Sequence, residues 1–231
     1  MAVPEAPGRT LLDDAARAAL APLGLVQLAG STTWLDDHGW WVVGVDFETT
    51  RARGTRLVVF ADFLWHVRDR PARTVGARVR ARGRLLDQDG PELVCPAVED
   101  ALYPAAAARL AARAAVEVTA WREGFPTMRS WADYLDRSAE EGTVWREYDA
   151  AVAAALEGDG RRARRWFERV LDHPVRPELF PEPDPDAVFE AQRLAVGLTA
   201  QLDRPGALRA TVAGRAAAAR ARLDLPPREL A

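Results

Sequence analysis

The chain contains no lysine and no asparagine; all 31 of its basic residues are arginine. Without an ε-amine there is no Schiff base to a carbonyl cofactor, no phosphate-loop lysine and no kinase-type lysine, so those enzyme classes are excluded. Cysteine is nearly absent too. The single one, Cys95, has no partner for an internal disulfide. Set between Val94 and Pro96, with no base beside it in sequence, it reads as a buried, inert thiol. No apolar run approaches the roughly 18 residues a membrane span needs, because arginines and aspartates interrupt every alanine-rich stretch. Met1 to Thr10 lacks the basic-then-apolar order of a secretory leader. These features predict a reduced, cytoplasmic setting without membrane contact. Paired zinc motifs, a glycine-rich dinucleotide loop and a phosphate loop are also missing from the sequence, and no cofactor is predicted.

What is present is a chain of 231 residues that is 48% hydrophobic, enough to bury a substantial core. The formal net charge of -3 creates no global field for nucleic acid or an anionic surface. Thr10 followed by Asp13 resembles a capping box, and Leu12, Ala16, Ala19, Leu20 and Leu23 share one face, so a helix is expected from about Leu11, ended by Pro22 and Gly24.

From Leu25 the pattern changes to short runs rich in Val, Phe and Trp between turn-forming clusters, the signature of antiparallel strands. Strands are predicted over Val26 to Trp34, Trp40 to Thr50, Thr55 to His66 and Ala77 to Leu85; Glu92 to Cys95 is open between strand and loop. Asp36 to Gly39 and Ala52 to Gly54 are the expected turns. The second turn sets a register in which Phe47, Val45, Val43 and Trp41 face Val59, Ala61, Phe63 and Trp65 on the core side. The other side is mixed: Trp40, Gly44, Asp46 and Glu48 against Val58, Phe60, Asp62, Leu64 and His66.

After Pro104 the periodicity is helical. Leu110, Ala114, Val118 and Trp121 line one helix; Trp131 and Leu135 a short one after a Thr127 cap; Trp145, Tyr148, Val152 and Leu156 a third. Gly158 to Gly160 turns the chain into a face of Ala163, Trp166, Phe167, Val170 and Leu171, and a last hairpin from Asp186 to Leu223 breaks at Pro205 and Gly206. The fold class expected is therefore α+β, with a helix and four-stranded antiparallel sheet over residues 1–103 and antiparallel helix pairs over 104–231, packed on the sheet as one unit.

Two resemblances follow from these residues. Trp145 to Pro174, with its aromatic and alanine positions and Gly158-Asp159 turn, resembles one tetratricopeptide-type helical hairpin; the plainer reading is an ordinary helix pair, because such hairpins act in stacks of three or more. The block Trp34 to Trp65, with Asp36-Asp37-His38-Gly39-Trp40-Trp41 leading into two strands, is similar to a bacterial domain-of-unknown-function family. That resemblance implies a helix, a four-stranded antiparallel sheet and a helical tail, and brings no activity, cofactor or site residue with it.

Among candidate site residues, Asp36, Asp37, His38, Asp46, Asp62 and His66 are the one cluster of metal-ligand types. Asp62 and His66, four apart on a strand, would lie about 13 Å from each other, too far to share an ion, and no bound metal is expected. Ser31 lacks the strand-turn-helix setting of a nucleophile elbow. His173 before Pro174 reads as a polar cap at a helix end. Trp40, on the mixed face opposite His66, would form a recognition surface if exposed. Arg78, Arg80, Arg82 and Arg84 alternate with small residues, which puts four guanidinium groups on one strand face about 7 Å apart. They read as a solvated, aggregation-resistant edge, as an anion contact, or as a row neutralised by acids across the sheet.

The reading these features favour is a non-catalytic intracellular interaction or accessory protein with a protein partner. The alternative is a small-molecule or anion-binding protein, with hydrolytic capacity, whose site gathers Trp40, Asp46, Asp62, His66 and the four arginines. Contact with a nucleic-acid backbone through the arginine strand ranks third.

Overall fold

Helix α1 spans Pro7–Leu20, starting four residues ahead of the expected Leu11. Thr10 therefore lies inside the helix and is not its N-cap; Pro7 begins it, in the first turn, where a missing N–H costs no intrahelical hydrogen bond. Leu12, Ala16 and Leu20 form its buried stripe. A 3₁₀ turn over Ala21–Leu23 follows, and Gly24, at φ 84°, closes it by donating its N–H to the Ala21 carbonyl. This computed structural model describes residues 7–49, 55–66, 94–95, 102–139, 143–174 and 185–230.

The strands β1 (Val26–Gln27), β2 (Trp34–Asp37), β3 (Trp41–Thr49), β4 (Thr55–Phe63) and β5 (Val94–Cys95) form one sheet in chain order. The strand expected over Val26 to Trp34 is instead two short pieces paired with each other, Val26 against Leu35 and Gln27 against Trp34. Turn chemistry breaks it. Gly30 takes φ 65°, the Ser31 N–H donates to the Leu28 carbonyl, and the Ser31 hydroxyl donates to Thr33 Oγ1.

Asp36 and Asp37, expected in a turn, are the last residues of β2, paired with Val43 and Val42. The turn itself is Gly39-Trp40, with Gly39 at φ 86° and the His38 N–H donating to the Trp41 carbonyl at 3.0 Å. Strand β4 stops at Phe63, so Trp65, though buried, lies in the turn that follows and not in the ladder expected against Trp41. The undecided segment Glu92 to Cys95 contributes β5, with Thr55 against Cys95 and Arg56 against Val94. The Ala52 to Gly54 turn and the arginine strand Ala77 to Leu85 lie outside the described residues.

Every residue proposed for the core side of β3 and β4 is buried. The side read as mixed is largely closed as well. A Cβ added to Gly44 would fall inside the Phe60 ring, so an aromatic lies directly on that glycine. Its rim is polar, where Arg56 pairs with Glu48, and Asp46 on that side is buried. The architecture is the α+β arrangement expected: an N-terminal helix, an antiparallel sheet and a helical C-terminal half.

The helices are α2 (Tyr103–Gly124), α3 (Met128–Ser138), α4 (Val144–Leu156), α5 (Gly160–Leu171), α6 (Pro185–Thr199) and α7 (Pro205–Arg222). Thr127 caps α3 through a reciprocal pair with Ser130. Gly158, at φ 78°, lets the chain reverse, and the Asp159 side chain then accepts the Arg162 N–H to start α5.

The described residues form two compact units: one reaches Asp62 and takes in β5 and residues 102–123, so α2 belongs with the sheet; the other comprises Phe63 to His66 and residues from Gly124 onward. Within the second, Arg162 on α5 donates to Asp133 on α3, and Arg165 to Asp136. Both partners advance by three residues, so α3 and α5 run the same way with α4 reversed between them. Helix α6 then packs on both α4 and α5. This is an up-down array, in which α4 is buried on nearly every side. Among the described residues no helix is long and apolar enough to cross a membrane.

Candidate functional site

The three histidines of the chain each lie beside a buried carboxylate. In the sheet-bearing unit, His38 Nε2 is 2.8 Å from Asp36 Oδ2. The two residues are i and i+2 at the end of β2, the spacing that puts side chains on one face of an extended chain. From the last turn of α2, Arg122 donates through Nε to Asp36 Oδ2 and through Nη2 to Asp36 Oδ1, each at 2.8 Å, a bidentate clamp. The same Nη2 donates to the Leu23 carbonyl at 2.7 Å, so the chain after α1, β2 and α2 converge there. Burial alone would raise the Asp36 carboxyl, but hydrogen bonds from Arg122 and His38 overcome it and hold the group at about 2. The His38 ring stacks on Trp41 with centroids 5.3 Å apart and planes 3° from parallel.

In the helical unit, Asp149 of α4 is fully buried. Its Oδ1 accepts the Trp65 indole N–H at 2.9 Å and lies 2.8 Å from His66 Nε2. The His66 ring leans on Trp145 and Tyr148, at 5.0 and 6.1 Å. Burial pushes the Tyr148 phenol well above its ordinary value, with the guanidinium of Arg215 only partly opposing it, so the hydroxyl stays protonated while it accepts from Arg215 Nη1 at 2.6 Å. One residue before Tyr148, buried Glu147 accepts from Arg169 at 3.0 Å and lies 3.1 Å from His173 Nδ1. Gln192 on α6 donates to the Leu171 and His173 carbonyls, so His173 belongs to a joint between α4, α5 and α6 and is more than a polar cap.

The residues predicted from sequence as one site are dispersed in role. Trp40 is buried and offers no exposed aromatic surface. Asp46 is buried and accepts from the Thr32 hydroxyl at 2.8 Å. Asp62 is half-buried at the end of β4. His66 pairs with Asp149, while Arg78, Arg80, Arg82 and Arg84 lie outside the described residues. Among the described residues there is no group of three or more His, Cys, Asp or Glu side chains that could hold a metal ion.

Sequence reasoning missed Arg122, Glu147 and Asp149. The last two carried a signal: acids on either side of Tyr148 in a helix otherwise rich in alanine and aromatics, where a buried carboxylate needs a partner. No protein-family model, no curated protein and no solved structure matches this chain.

Proposed function

We propose that the chain is an intracellular interaction or accessory protein whose helical unit binds a protein partner and performs no catalysis. The observation that carries this reading is the outer face of α6. Phe189 and Val196 are 58% exposed each, and their spacing of seven residues puts them on one stripe of that helix. Large apolar side chains aligned in this way on a helix of an up-down array supply the kind of anchor that helical-hairpin proteins use for partner segments. The buried His66-Asp149 and His173-Glu147 pairs support the same reading, because each joins segments that are separate in sequence. The single cysteine, which has no partner for an internal disulfide, favours a reduced setting and so a cytoplasmic partner.

The test is affinity capture from the source cell with the wild-type chain and with a Phe189→Asp/Val196→Asp variant whose circular dichroism is unchanged. A protein recovered in near-stoichiometric amount by the wild type and lost with the variant is the expected result. Identical recoveries would overturn the reading.

A further inference from the structure

We propose that His38 is a general base for the hydrolysis of small uncharged esters, with its Nδ1 presented at the β2–β3 turn by Asp36 and Arg122. This inference concerns the sheet-bearing unit and stands independently of partner binding by the helices.

The argument begins with the proton. Asp36 receives hydrogen bonds from Arg122 Nε, Arg122 Nη2 and His38. A carboxylate so supplied is ionised and can only accept, so the shared proton sits on His38 Nε2 and the basic lone pair is left on Nδ1. Among the described residues no hydrogen bond engages that nitrogen.

The ring is also held still. The His38 N–H donates to the Trp41 carbonyl, the His38 carbonyl accepts from Trp40, and the imidazole stacks on Trp41. Asp37 fixes the turn from its other side by accepting the Gly39 N–H at 2.9 Å. An imidazole with one nitrogen on an anchored carboxylate and the other unengaged is oriented as a base before any substrate arrives.

Accessibility separates this histidine from the others. The His38 side chain is 23% exposed, against 6% for His66 and 16% for His173. The charged groups beside it are Asp36 and, through that carboxylate, Arg122, which offset each other. No net positive charge is left there to hold an anion, which favours an uncharged substrate.

In the step itself, Nδ1 takes a proton from water as the water oxygen bonds to the acyl carbon. The acyl carbon–oxygen bond then breaks, the alcohol or phenolate departs, and the Nδ1 proton passes to the leaving group or to solvent. Asp36 and Arg122 act as positioning residues. They stabilise the imidazolium that forms and fix its tautomer.

The probe is p-nitrophenyl acetate with the full chain. His38→Gln is expected to lose at least about a hundredfold of the protein-dependent rate, the lower side of what a positioned base supplies, while His173→Gln keeps it. A His38→Gln variant as fast as wild type, or a His173→Gln variant equally impaired, overturns the proposal. Because substitution could disturb the turn, nitrogen-15 NMR of the unaltered chain gives a second reading. At neutral pH the His38 proton is expected on Nε2, and a proton on Nδ1 overturns the assignment. Asp36→Asn should move the proton to Nδ1 and lower the rate together; retention of both would remove Asp36 from its positioning role.

Discussion

His38 and His66 each lie 2.8 Å from an aspartate, yet the two pairs occupy opposite extremes of environment. Asp36 is clamped by a guanidinium and its histidine reaches solvent; Asp149 is fully buried and shares one oxygen between His66 and the Trp65 indole. The difference teaches that a histidine-carboxylate pair has no fixed role. Where an arginine compensates the carboxylate and the histidine side chain is partly exposed, the pair meets solvent, the setting from which the proposed base would act. Where both partners are enclosed by aromatic rings, it joins elements that are far apart in sequence.

The largest effect that would break this comparison is expected at Asp149. Replacement by Ala takes the acceptor from the buried Trp65 N–H and removes the carboxylate beside His66 Nε2. Removing one partner of a buried pair costs about 3–5 kcal/mol, which should appear as a lower midpoint in urea unfolding. A cost under about 1 kcal/mol, the range of exposed pairs, would show that His66 and Asp149 are not the joint described.

The sheet supplies the next test, because its second side is closed by packing and not by charge. Gly44→Ala would drive a methyl group into the Phe60 ring. Overpacking of this kind typically costs about 1–3 kcal/mol, and Phe60→Leu in the same chain should relieve part of it. Absence of any effect from Gly44→Ala would mean that the ring is free to leave its place on the glycine.

Asp36 gives the comparison a pH axis. Its carboxyl falls from 3.8 to about 2 on folding, so it contributes stability that is fully present above 3.8 and lost as pH falls through about 2. At about 1.4 kcal/mol per pH unit, the contribution is about 2 kcal/mol. Asp36→Asn should remove that segment of the acid-unfolding curve. An unchanged curve between pH 4 and 2 would show that Arg122 and His38 do not hold the carboxylate as described.

The parts of the molecule legible in sequence were those set by local periodicity and turn chemistry. The stripe Tyr148, Val152 and Leu156, the Gly158-Asp159 reversal and the Thr127 cap all depend on neighbours within a few residues, and each is found as expected. The strand over Val26 to Trp34 failed because Gly30 and Ser31 formed a turn that strand propensity did not foresee. Asp36 and His38 were recognised as chemically capable, and their i, i+2 spacing is local. Their partner Arg122 is 86 residues away from Asp36, and Trp65 is 84 residues from Asp149. Periodicity says nothing about contacts at that distance. Only the energetic oddity of acids in an apolar helix could have pointed to Glu147 and Asp149.

The smallest expected effect lies on α5, where two arginines of one helix pair with acids of very different burial. Arg164 is 48% exposed and its partner Asp203 is 91% exposed, so water screens the pair and its two flexible side chains lose entropy to form it. Arg164→Ala should change stability by no more than about 0.5 kcal/mol. Arg169 is similarly exposed at 45%, but its partner Glu147 is only 4% exposed. Arg169→Ala leaves that carboxylate with only the His173 ring beside it, and the guanidinium also leaves the Trp166 ring, 4.8 Å away. Its cost should clearly exceed that of Arg164→Ala in parallel urea titrations. Equal costs would mean that burial of the acid does not set the worth of these pairs, and the distinction drawn between Asp36 and Asp149 would then have to rest on hydrogen-bond geometry alone.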